Sequence, residues 1–95
     1  MRIYTVYDKK AKTFSEPFSR QNDGQAMRSF QVEINDTRSL YNRYPEDFAL
    51  YFIAEFDEFS AKLTIDGSIG GLHIIDGRLL KDAVQQPETN LKAVQ

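Results

Sequence analysis

Apolar and polar positions alternate most plainly in two neighbouring stretches of the chain. Residues 48–56, FALYFIAEF, place Phe48, Leu50, Phe52, Ala54 and Phe56 on one side of an extended strand. Ala49, Tyr51 and Ile53 fall on the other side, with Glu55 near the end. Both faces are apolar for most of the length, which predicts an interior strand. Residues 59–65, FSAKLTI, alternate strictly, predicting Phe59, Ala61, Leu63 and Ile65 inward and Ser60, Lys62 and Thr64 outward. A tight connection near Asp57–Glu58 would join the two as an antiparallel hairpin. Residues 2–7, RIYTVY, read as a further strand, with Ile3, Thr5 and Tyr7 on one face and Arg2, Tyr4 and Val6 on the other.

The period changes at residue 22. Ala26, Met27, Phe30 and Ile34 recur at helical spacing, predicting a helix over about 23–34. Asn22 or Asp23 can cap it, and Gln25 completes a capping-box pattern with Asn22. Asp36 can cap a second short helix over 37–44, which Pro45 should stop at Tyr44. Residues 8–21 read as a loop with a short extended piece around Lys12–Phe14. Asp66-Gly67, Gly70-Gly71 and Asp76-Gly77 are turn signals around one more short strand, Leu72–Ile75. Residues 78–85 suggest a short helix, and the stretch from Pro87 has few anchors, predicting a mobile tail over 87–95. The expected fold is one α+β domain over 1–86, a mainly antiparallel sheet packed by the two helices. Phe30, Phe48 or Phe52, Phe56 and Leu63 are its expected core.

Composition narrows the chemistry. The chain has 95 residues and no Cys, which removes disulfides, thiolate nucleophiles and the usual structural zinc sites. No apolar run is long enough to span a bilayer, and the first residues lack a signal-peptide pattern. His73, the single histidine, has no clustered partners for a metal. Carboxylates at Glu46-Asp47 and at Glu55, Asp57 and Glu58 sit in turns and at a strand end, with no nucleophile–base pair beside them. The DGSIGG run lacks the Lys-Ser/Thr ending of a P-loop. These readings point away from an enzyme and from any cofactor. Net charge is −2, against coating nucleic acid by bulk electrostatics. It is unevenly spread, with eight basic and five acidic residues in 1–43 against four and nine in 44–95.

The N-terminal third interleaves cations with rings. Lys9, Lys10, Lys12 and Arg20 are candidate phosphate contacts, and Tyr4, Tyr7 and Phe14 are candidate stacking partners for the bases of single-stranded DNA. The same rings could instead be core, and the lysines could merely solvate a loop.

Several strings, in order, resemble the small nonstructural proteins of microviruses, the tailless phages with single-stranded DNA genomes. They are IYTVYD at 3–8, EPF at 16–18, NDGQAMRSF at 22–30 and RYPEDFALYFIAEFDE at 43–58. The similarity covers about residues 1–66, and the remaining 29 depart from the family pattern. The resemblance implies a non-capsid phage product in the host cytoplasm. It implies DNA binding that assists viral genome replication or packaging, with viral or host replication proteins as further partners. The alternative is a non-catalytic protein–protein adaptor or assembly factor without DNA contact. A short, aromatic-rich chain without a staple also leads us to expect a homo-oligomer, most simply a twofold dimer.

Overall fold

The computed structural model describes residues 1–65 and 71–82. Strand β4, Phe48–Phe56, is the centre of the sheet, as its two apolar faces require. It pairs antiparallel with β1, Arg2–Asp8, along most of both strands. On the far side of β1 lie β2, Thr13–Phe14, and β3, Phe18–Arg20. On the far side of β4 lie β5, Leu63–Thr64, and β6, Leu72–Asp76. All pairings are antiparallel, giving the expected α+β class with a six-stranded sheet. β3 falls in a stretch read from sequence as loop.

Helix α1, Asp23–Asn35, covers one face of the sheet with Ala26, Phe30 and Ile34. Asn22 caps it, its side-chain oxygen accepting from Gln25 N at 2.9 Å. The Gln25 side chain reaches back to Gln21 N instead of the cap residue. Against α1 pack Tyr4 and Val6 of β1 and Phe48, Leu50 and Phe52 of β4, all buried. The second helix is shorter than expected. It is a single turn, α2, Leu40–Arg43, capped by Ser39 and not by Asp36. Asp36 closes α1 instead and forms an ion pair with Arg38. Pro45 ends α2 and opens a 3₁₀ turn, Pro45–Asp47.

Two expectations for the core fail, both for reasons local to β4. The β1–β4 ladder pairs Tyr4 with Phe52 but Ile3 with Ala54, leaving Ile53 as an extra residue. Such a bulge exchanges the faces of everything beyond it. Ala54 therefore sits opposite Ile3 on the outer side, and Phe56 does not join the buried cluster. The second failure is the strand over 59–65. Asp57 accepts from Phe59 N through its side chain at 2.9 Å and from Ala61 N through its carbonyl at 2.8 Å. Ala61 takes a left-handed φ of 63°, so the chain turns over 57–62 and only Leu63 and Thr64 pair with β4. Leu63 and Ile65 are 54 % and 63 % exposed, and Phe59 is 98 % exposed.

Past β6 the helix expected over 78–85 is a 3₁₀ turn, Gly77–Leu79, in its described part. A Cβ at Gly77 would lie 2.7 Å from both Ile34 Cδ1 and the Pro45 carbonyl oxygen, so only glycine lets this turn sit against α1. Asn35 holds the next residues in place, donating to the Leu80 carbonyl at 3.1 Å and accepting from Asp82 N at 2.7 Å. The turns at 66–67 and 70–71 fall wholly or partly outside the described residues. The end of the 78–85 helix, the boundary at 86 and the tail over 87–95 lie outside them entirely.

Candidate nucleic-acid interface

Alternation puts every second residue of β1 and β4 on the face that α1 does not cover. Antiparallel pairing then brings Tyr7 of β1 beside Tyr51 of β4, with ring centroids 5.9 Å apart. β2 folds Phe14 onto both, 4.5 Å from Tyr7 and 5.5 Å from Tyr51. β6 adds His73 opposite Tyr51, their rings 5.5 Å apart and edge to face. The result is a row of four flat side chains across four strands. Tyr7 and Tyr51 are partly exposed, and Phe14 and His73 more so.

The lysines belong to the turn at one end of this row. Asp8 holds the turn, its carboxylate accepting from Lys10 N and Ala11 N at 3.0 and 3.1 Å. Lys12 has a left-handed φ of 60° and donates its amide to the Asp8 carbonyl at 2.7 Å. The same hairpin therefore carries Lys9, Lys10 and Lys12 together with Tyr7 and Phe14. Asp76 sits among them, 3.4 Å from Lys9 Nζ and 2.8 Å from His73 Nε2. The His73 hydrogen bond, and then Lys9, hold the Asp76 carboxyl below its ordinary value. It remains an anion that anchors one lysine and orients the imidazole. An aliphatic cleft of about 460 Å³ continues the open face, bounded by Ile3, Thr5, Phe14, Ile53, Leu63 and Ile65.

Two candidates from the sequence do not belong to this surface. Tyr4 lies on the covered face with no exposed area, so it cannot stack on a base. Its hydroxyl donates to Asp23 Oδ1 at 2.6 Å, and Arg2 Nε donates to the same oxygen at 3.0 Å. Arg20 is held against α1, donating from Nε to Ser29 Oγ at 2.9 Å and from Nη1 to the Ser19 carbonyl at 2.6 Å. Sequence reasoning missed Tyr51 and His73. Tyr51 is visible in the sequence as an outward ring of 48–56, but only the β1–β4 register puts it beside Tyr7. His73 carries no signal, because its place opposite Tyr51 depends on a second bulge, at Ile74.

The Tyr4–Asp23–Arg2 cluster gives a pH test of the fold. Burial pushes the Tyr4 phenol up to about 12, helped by its bond to the Asp23 carboxylate. A raised folded-state value means that its contribution is intact below pH ~10 and lost as pH climbs through about 12. Wild-type protein should lose on the order of 2 kcal/mol more than Tyr4→Phe across this window in urea titrations. Parallel loss in the two proteins would show that the phenol is not shielded.

These features define a small open-faced sheet, one side closed by a helix and the other carrying rings and lysines. The Phage ORF5 protein family matches residues 1–79, and the chain belongs to that family. It is 34 % identical over 62 residues to Protein ORF5 of Chlamydia phage 1, a match covering 61 % of this chain and 65 % of that one. The chain thus spans somewhat less than two thirds of that relative's length. No solved structure matches. The likeness to small nonstructural proteins of microviruses seen in the sequence strings therefore holds. No helix among the described residues is long and apolar enough to cross a membrane.

Proposed function

We propose that this phage protein binds single-stranded DNA on its open sheet face and so assists viral genome replication or packaging. The observation that carries the reading is the row Phe14, Tyr7, Tyr51 and His73, placed beside the Lys9–Lys12 turn. Unpaired bases gain by stacking on flat side chains, and phosphates by nearby cations. The negative net charge keeps the protein from coating DNA at large and favours a confined, weak, sequence-tolerant site. The action is stoichiometric, in the host cytoplasm, with no catalytic step and no cofactor.

With Arg20 turned toward α1, three cations remain near the rings. Each phosphate neutralised contributes about −0.7 to the slope of log affinity against log salt, so wild-type protein should give a slope near −2. Changing Lys9, Lys10 and Lys12 together to Ala should bring it close to zero. Binding to an oligothymidylate is measured by fluorescence anisotropy across a salt series. If no binding is detected at low salt and about 100 μM protein, weaker than ordinary non-specific binding, the DNA reading is wrong.

The protein–protein adaptor is then the reading left, and one observation favours it independently. Phe59 is 98 % exposed on the turn over 57–62, among Glu55, Asp57 and Glu58. An exposed ring of this kind suits an apolar pocket on a protein partner, such as a viral or host replication protein, and its carboxylates disfavour DNA there. We also propose that the chain forms a twofold dimer, using the exposed Leu63, Ile65 and Leu72 beside β5 and β6. Light scattering at high micromolar concentration should give the dimer mass, and a monomer mass would remove this idea.

A further inference from the structure

A second cleft, of about 490 Å³, opens on the opposite side of the β2–β3 edge, between that edge and helices α1 and α2. Its volume falls within the range of small-ligand sites. Val6, Phe18, Phe30, Leu40 and Tyr41 make up the apolar half of its lining. The rings of Phe30 and Tyr41 meet edge to face at 5.9 Å. Burial and the Glu33 carboxylate both push the Tyr41 phenol up, so the ring stays neutral.

The other half of the lining is polar, with three serines, Ser15, Ser29 and Ser39, and three charged groups, Glu16, Arg20 and Glu33. Arg20 lies over the Phe18 ring, 5.1 Å from its centroid. Its Nε and Nη1 are engaged by Ser29 and the Ser19 carbonyl, and Nη2 has no acceptor among the described residues. Glu33 lines the cleft one helical turn beyond Ser29, and its carboxylate accepts no hydrogen bond from the described residues. Glu16 adds a second carboxylate at the rim. Ser15 lines both this cleft and the aliphatic one on the open face, so a strand leaving the rings can turn round the sheet edge at 14–17.

We propose that this cleft takes one everted nucleobase bearing a donor edge, with guanine the preferred ring. A flat ring with a polar edge matches a lining that is half apolar and half polar, as in other sites that hold a base out of the stack. The N1–H and N2–H groups of guanine form a parallel pair of donors, which one carboxylate accepts bidentately; Glu33 supplies it. The free Nη2 of Arg20 meets an acceptor on the same nucleotide. Thymine offers a single ring N–H and cannot make the paired contact. The cleft deepens the single-strand reading when the base belongs to a bound strand, and the same chemistry admits a free guanine nucleotide.

The full chain is titrated with dGMP and with dTMP, followed by amide chemical shifts. In parallel it is titrated with oligothymidylate, with and without one central guanine. Wild-type protein should favour the guanine member of each pair by roughly tenfold, the discrimination one bidentate contact gives. Glu33→Gln, at an exposed position, should fold normally and reduce both preferences to about one. Tyr51→Ala should weaken both oligonucleotides while leaving their ratio unchanged, because it alters the open face alone. Binding of dGMP without binding of either oligonucleotide would retain the cleft, with a free nucleotide as its ligand, and reject the open-face reading. Equal affinities for dGMP and dTMP, or a preference that survives Glu33→Gln, would overturn the proposal.

Discussion

Replacing Phe52 with alanine is expected to cost roughly 3–5 kcal/mol, the range for removing a buried aromatic side chain from a packed core. Phe52 lies at the middle of β4 and is 8 % exposed. Its ring meets Tyr4 edge to face at 5.9 Å, and the Arg2 guanidinium lies 3.9 Å above its centroid. Alanine would leave a void lined by Tyr4 and remove the surface on which Arg2 rests. The affected region includes the Arg2–Asp23–Tyr4 cluster, so little nearby can collapse to fill the space. Small domains have total stabilities of about 5–15 kcal/mol, so the variant would lose a large share of it. Urea unfolding should show a lower midpoint at nearly unchanged slope. A loss below about 1 kcal/mol would mean that Phe52 does not fill the core as described.

The second large effect concerns binding. Tyr7→Ala and Tyr51→Ala together should weaken single-stranded DNA by roughly 2–6 kcal/mol, since each stacked base contributes about 1–3 kcal/mol. The two rings lie on adjacent strands and share Phe14 between them. Removing both therefore dismantles the row, where removing one would leave Phe14 a partner. Neither tyrosine belongs to the buried cluster under α1, so the variant should retain the wild-type circular dichroism. Phe59→Ala, on a turn outside the row, should bind DNA as the wild type does. If the double variant keeps wild-type affinity, the strand does not lie on these rings. If Phe59→Ala alone abolishes binding, the contact surface is the acidic turn and the lysine argument fails with it.

The cations and rings that the sequence offers for a site divide into two groups in the folded chain. Lys9, Lys10, Lys12, Tyr7 and Phe14 share one hairpin because they are close in sequence and Asp8 closes the turn between them. Arg20 and Tyr4 leave the set because alternation turns Tyr4 toward α1, and Ser29 on α1 draws Arg20 to the same side. A list of bases and rings along a chain therefore overestimates a site. The strand period alone separates Tyr4 from Tyr7, so that part of the division is legible in the amino-acid pattern.

The sequence by itself determined the elements whose signals are local. The helix over Asp23–Asn35 follows from Asn22 and the spacing of Ala26, Phe30 and Ile34, and β4 follows from an apolar run bounded by Pro45 and Asp57. The stop at Tyr44 follows from Pro45, whose ring disfavours helical geometry in the preceding residue. The tertiary structure alone decided the rest. The bulge at Ile53 is a property of the β1–β4 pairing, and it left Ala54, though buried, and Phe56 outside the cluster under α1 although their alternation with Phe52 is unbroken in the sequence. The clean alternation of 59–65 lost to the turn that Asp57 holds, while β6, from more distant sequence, paired with β4 at Tyr51 and Phe52. Strand register and turn length depend on which partner takes the ladder's hydrogen bonds, and residues that pair across the sheet need not be near in the chain. That dependence is why the row from Phe14 to His73 exists only in the folded protein.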